Sequence, residues 1–255
     1  MRTPFDVDRL VAFARLAAFA MLAAVSAQAQ AVNPRGGRPA IEAPRIGKMI
    51  DAKGVLRTVS GVAGNFLAGP AEAQGVAALA CAAQACVTAP DAAVLATDGR
   101  RAVAYSQQTN QFISWNIGNR KTPPEQLGWN PLQNGDEVLS IRVTPAGANI
   151  AIRRRDAVWI VSQEGTALDT LPPEAAGPVL LLPDCIIYAR DDAVVLRRPD
   201  GTELSFPAPA VRALYAMSPD WVEAAAADGL HALRTTADRE ILYVLPATVL
   251  PGDAE

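Results

Sequence analysis

TPAGANIAIRRRDAVWIVSQEGTALDTLP (residues 144–172), LPDCIIYARDDAVVLRRPDGTELSFPAP (182–209) and SPDWVEAAAADGLHALRTTADREILYVLP (218–246) are three writings of one short pattern. Asp156, Asp192 and Asp228 fall 36 residues apart each time, as do the pairs Gly165 and Gly201, and Pro183 and Pro219. Within each unit short apolar runs alternate with turn signals: Ile150-Ala-Ile152, a charged turn, Val158-Trp-Ile-Val161, then Gln-Glu-Gly165. Runs this short, β-branched or aromatic and bounded by Pro, Asp and Gly, are strands, because such side chains pack on a pleated surface while the bounding residues set turn dihedrals.

Each unit therefore holds three or four strands. A period of about 36 to 40 residues with four short antiparallel strands marks a β-propeller blade, which is stable only against neighbouring blades. The expected fold is all-β and propeller-like, with about five blades of three to four antiparallel strands. A β-sandwich also spaces its strands regularly, but it has no reason to repeat Pro-Asp or Asp-Ala-Val at one phase. Short, β-branched apolar runs argue against helical repeats of similar period.

Upstream, Ala96-Thr-Asp-Gly-Arg-Arg-Ala-Val-Ala-Tyr-Ser106 followed by Phe112-Ile-Ser-Trp115 is a further unit. This text resembles the repeat of TolB-type, WD40-like propellers, in which a Ser-Pro-Asp-Gly turn leads into a strand, a polar turn and a second strand. Met217-Ser-Pro-Asp220 and Leu182-Pro-Asp184 match that turn, and Thr144-Pro-Ala-Gly147 departs by one residue. The resemblance covers about four repeats and implies a superfold, not a subfamily. The Gly-His and Trp-Asp signatures of true WD40 blades are absent from the sequence.

Ile46 to Val59 reads as a hairpin turning at Ala52-Lys-Gly54, and its expected role is to complete the last blade so that no edge is left open. The alanine-rich stretch Gln74 to Cys86 is helical by propensity. Cys81 and Cys86, however, would point about 140° apart on a helix and face each other across a hairpin loop. A hairpin with a Cys81–Cys86 bridge is the preferred reading, and Cys185 is then a buried thiol. Ile117 to Glu137, with Pro123, Pro124, Pro131, Gly128 and Gly135, is a long loop. Trp129 within it is either a partner anchor or a ring folded back over its own blade.

The first 31 residues look like a secretory signal. Arg2, Arg9 and Arg15 precede the apolar stretch Leu16 to Val25, and Ala27-Gln-Ala29-Gln-Ala31 offers cleavage sites. An apolar core of about ten residues is short of the roughly 20 that span a bilayer; an uncleaved anchor or an amphipathic helix is the alternative. The expected organisation is a signal over 1–31, a flexible lead-in over 32–44, the repeat domain over 45–250 and a frayed tail over 251–255. Periplasmic or extracellular localisation follows, with no transmembrane helix in the mature chain.

The net charge of −3 gives no basic domain of the kind nucleic acid requires. His231 is the only histidine, so zinc sites with His ligands and a Ser-His-Asp triad would rest on it alone. Its alignment with Trp159 and Val195 makes it a packed strand residue. No phosphate-binding or nucleophile-elbow motif occurs, and no cofactor is expected. The recurring Asp156, Asp192 and Asp228 could ring an axis and hold a cation, or serve as turn residues bonding their own backbone. Arg153, Arg154 and Arg155 form the one dense basic cluster of the repeats, either an anion contact or a solvated turn.

The leading expectation is a non-enzymatic binding or protein-interaction module using one rim, with Trp129, Arg153 to Arg155 and the three aspartates as candidates. The partner would be a protein or small ligand. The alternatives are a propeller hydrolase or lactonase using carboxylates around a central channel, and an open arc that assembles with another chain.

Overall fold

The computed structural model describes residues 43–83, 85–90, 94–119, 122–175 and 177–245. The expected signal, nearly all of the lead-in, the end of the repeat domain from 246 and the tail lie outside the described residues. Every regular element among those described is a strand. β1 (Arg45–Ile50), β2 (Leu56–Val62) and β3 (Asn65–Ala73) form one antiparallel sheet. β4 (Ala78–Ala82) and β5 (Ala85–Ala89) are a hairpin. β6 (Val94–Thr97), β7 (Arg101–Ser106), β8 (Gln111–Asn116) and β9 (Glu125–Gln126) make a four-stranded meander.

The repeats give three more meanders. β10 (Glu137–Thr144), β11 (Gly147–Arg154), β12 (Ala157–Ser162) and β13 (Ala167–Thr170) are the first. β14 (Val179–Leu181), β15 (Ile186–Arg190), β16 (Ala193–Arg197) and β17 (Glu203–Pro207) are the second. β18 (Ala213–Ser218), β19 (Trp221–Ala226), β20 (Gly229–Arg234) and β21 (Ile241–Val244) are the third, and β4 joins it in parallel through Ala80 and Ala216. The result is five sheets of three to six strands.

The central strands are apolar on both faces because each sheet packs between two others. On β11, Ile150 and Ile152 point into the core shared with Tyr105 and Phe112, whereas Ala151 points into the core shared with Val179 and Tyr188. Leu196 and Val194 meet Val222 and Leu233 in the next layer. Each fully buried Ile or Leu contributes roughly 1.5–3 kcal/mol, so every layer is held mainly by its neighbours.

Two expectations need correction. The hairpin over 46–59 does not extend the last sheet by hydrogen bonding. With β3 it forms a sheet of its own that packs face-on against β18–β21, burying Met49, Val59 and Phe66 against Met217 and Trp221. Gly47 permits the approach, since a Cβ there would stand 2.4 Å from the Met217 carbonyl oxygen. The hairpin that bonds to the last sheet is β4–β5. The 117–137 insertion is also not wholly a loop, because Glu125 and Gln126 pair with Ser114 and Ile113 and supply the outer strand of their sheet.

Candidate functional site

The first strands of the four meanders converge with β4, which shares a sheet with β18. β4 lies beside β6, β6 beside β10, β10 beside β14, β14 beside β18, and β18 beside β4. All five line one open cavity of about 620 Å³. Its walls are mostly apolar, from Ala80, Leu95, Ile141, Leu180 and Ala216, and its mouth carries the turns that follow the first strands. Those turns bring Asp98, Asp184 and Asp220 to the cavity, together with Arg142 from β10 and Arg198 from the β16–β17 turn.

The charged groups are unequally committed. Burial pushes the Asp98 carboxyl upward, but the backbone N–H groups of Arg101 and Arg100, donating at 2.7 and 2.8 Å, hold it below the usual range. Arg198 is paired with Glu240 and also donates to the Thr235 carbonyl at 3.1 Å. Asp184 and Asp220 are exposed. Arg142 differs from all of these. Its Nη1 donates to the carbonyls of Leu182 at 3.0 Å and Pro183 at 3.4 Å, while its Nε is buried with no hydrogen-bond partner. Desolvation pulls its pKa down, opposed by the field of Asp184, and no carboxylate among the described residues lies within ion-pair distance of it. The buried thiol of Cys185 borders the same cavity, and burial pushes its pKa up to about 11, so it is protonated and unreactive at neutral pH.

None of the rim residues singled out from sequence lines this cavity. Asp156, Asp192 and Asp228 are exposed in the turns between second and third strands, and antiparallel pairing puts those turns at the other end of each sheet. Arg155 adopts a left-handed conformation with φ of 56° in the same turn as Asp156. Asp228 binds His231 Nε2 at 2.8 Å, and that hydrogen bond holds the carboxyl low. Arg153 pairs with Glu137 at 2.6 Å and donates to the Gly177 carbonyl, and Arg154 grips both oxygens of Asp136. Trp129 lies half-buried on Phe112, with ring centroids 4.7 Å apart. Cys81 and Cys86 are opposite residues of the β4–β5 hairpin and are joined as a disulfide, with Cα atoms 4.1 Å apart.

Sequence reasoning passed over Arg142. The available signal was a charged residue set between Ile141 and Val143, where the other strands at the cavity, β4, β6, β14 and β18, carry no charge.

A second polar cluster lies away from the cavity, between the first sheet and β19. Asp51 and Arg57 form a buried ion pair at 2.9 Å, and Asp51 also accepts the N–H groups of Lys53 and Val55. Burial raises the Asp51 carboxyl, yet the Arg57 hydrogen bond and the two amides outweigh it. Glu223, with no exposed surface, accepts the Ile50 N–H at 2.9 Å and leaves its other oxygen without a partner. Burial, with Asp51 adding repulsion, pushes its pKa up to about 8.

No family model and no curated protein matches the chain. Solved structures of β-propeller-type, all-β proteins are similar to it. They include PorZ, a surface component of the type-IX secretion system of Porphyromonas gingivalis, at 14% identity over 80% of this chain and 26% of that one, TM-score 0.38. Apo AztD from Citrobacter koseri is similar at 13% identity over 80% of this chain and 57% of that one, TM-score 0.40. Virginiamycin B lyase from Staphylococcus aureus is similar at 11% identity over 80% and 71%, TM-score 0.38. The chain thus spans about a quarter of PorZ and little over half of AztD. No helix among the described residues is long and apolar enough to cross a membrane.

Proposed function

We propose that this chain is an exported, five-bladed β-propeller that works as a non-enzymatic binding module, with its ligand site in the cavity where the first strands converge. The observation that carries the reading is the convergence of β4, β6, β10, β14 and β18 on one cavity with apolar walls and a few polar groups at its mouth. Small-molecule sites have this make-up, at volumes of roughly 300–1,000 Å³. Export is supported by the N-terminal basic–apolar–small pattern and by the Cys81–Cys86 disulfide, which suits an oxidising compartment.

A hydrolase acting through cavity carboxylates has weaker support. Asp98 is committed to its own turn, and Asp184 and Asp220 are exposed on two separate turns. The test is a binding screen followed by amide chemical-shift mapping on the full chain, run beside turnover assays on a lactone and an aryl ester. Saturable binding that shifts Leu95, Leu180 and Ala216 without turnover is expected. Turnover abolished by Asp184→Asn or Asp220→Asn would establish the hydrolase instead.

A further inference from the structure

We infer that the cavity takes a ligand with one carboxylate and an apolar body, and that Arg142 is the residue that receives the carboxylate. The inference rests on the cavity being the binding site, and adds the ligand's chemical class.

Arg142 lines the cavity, and its environment is incomplete without an anion. A guanidinium has five donor hydrogens, and here only Nη1 has protein acceptors while Nε is buried without one. A half-buried cation with a buried, unpartnered Nε and no carboxylate within ion-pair distance is costly, and an anion supplied by a ligand would offset that cost. The other cavity arginine offers no such vacancy, because Arg198 already holds Glu240 and the Thr235 carbonyl.

The number of charges on the ligand follows from the mouth. Asp98, Asp184 and Asp220 stand there, and like charges close by disfavour a dianion such as a phosphate monoester. One negative charge, matched to the planar fork of Arg142, is what the site accommodates. The body of the ligand is set by Leu95, Ile141, Val143, Leu180 and Ala216, which offer apolar contact and few hydrogen-bond partners.

Calorimetric titration of the full chain with four matched probes tests this: octanoate, octanol, octyl phosphate and octyltrimethylammonium. Octanoate is expected to bind about ten-fold or more tighter than each of the others, since one charge-assisted contact is worth at least that factor. Arg142→Gln should remove that preference, and Arg142→Lys should restore part of it. The probe series on the unmodified chain stands even if Arg142→Gln fails to fold. Equal binding of octanol and octanoate, with shifts still mapping to the cavity, overturns the charge inference and leaves the binding site in place. Tightest binding of octyl phosphate overturns the monoanion argument. Binding of none of the four overturns the ligand class, while the cavity as a ligand site stands or falls with the binding screen.

Discussion

Glu223 on β19 accepts the backbone N–H of Ile50 on β1 at 2.9 Å, so a buried carboxyl ties the last sheet to the first across 173 positions of sequence. The bond lies among groups that cannot be hydrated. Glu223 has no exposed surface, and the Asp51–Arg57 pair beside it is almost fully buried. The contact therefore connects the packing of the first sheet on the last to the protonation of one residue.

That connection sets a pH dependence. The Glu223 pKa is raised from an ordinary 4.5 to about 8, so between those values the folded chain binds a proton that the unfolded chain has released. Stability then falls as pH rises from about 4.5 to 8, with a slope approaching ~1.4 kcal/mol per pH unit from this group alone. Asp51 acts the other way and in another window: its lowered pKa contributes stability that is lost only as pH drops below 3.8. Urea unfolding from pH 5 to 8.5 should show the decline in the native chain, and Glu223→Gln should flatten it. Parallel native and variant curves over that range would refute the assignment.

Arg57→Leu tests the neighbouring pair. Removing the guanidinium leaves the Asp51 charge buried with only the Lys53 and Val55 amides to satisfy it. The expected loss is about 3–5 kcal/mol, read as a drop in the denaturation midpoint at constant slope. The double change Arg57→Leu with Asp51→Asn should recover much of it, because no uncompensated charge then remains. A double variant no more stable than Arg57→Leu would place the cost in packing rather than charge.

The disulfide closes a loop of six residues on the hairpin that pairs with β18. Loop-closure entropy for so short a ring predicts that Cys81→Ser with Cys86→Ser costs about 2 kcal/mol, visible as a lower melting temperature. Adding a reductant should move the native chain toward the variant and leave the variant unchanged. A reductant effect on the variant as well would point to a different origin.

The repeats were legible because turn chemistry and period-2 patterning are local. Pro183, Asp184 and Pro219, Asp220 mark first-to-second-strand turns in the sequence and occupy them in the structure. Relations between sheets were not legible. Nothing local in Arg142 announces that Leu182 and Pro183, some 40 residues on, provide two carbonyls and no carboxylate. The spacing of Asp156, Asp192 and Asp228 was real, yet in a meander alternate turns face opposite ends, and periodicity cannot say which end holds the cavity. Glu223 is hidden for a related reason: Trp-Val-Glu-Ala-Ala reads as an exposed charge on a strand until the first sheet covers it.

Gly47 is where that covering depends on the absence of a side chain. A Cβ there would meet the Met217 carbonyl oxygen at 2.4 Å and the Met217 Cβ at 2.9 Å, so β1 would have to retreat from β18. Gly47→Ala is expected to cost about 1–3 kcal/mol, whereas Gly128→Ala, with open space around it, should fall within about 0.5 kcal/mol of the native chain. The retreat has a second consequence. β1 carries Ile50, whose amide holds Glu223, so lifting it admits water to that carboxyl and lowers its pKa toward the ordinary value. Gly47→Ala should thus lose stability and, in the same unfolding series, show a shallower decline between pH 5 and 8. A loss of stability with the full native slope would mean that the strain is absorbed at Met217 without loosening the first sheet, and that the two contacts between these sheets are independent.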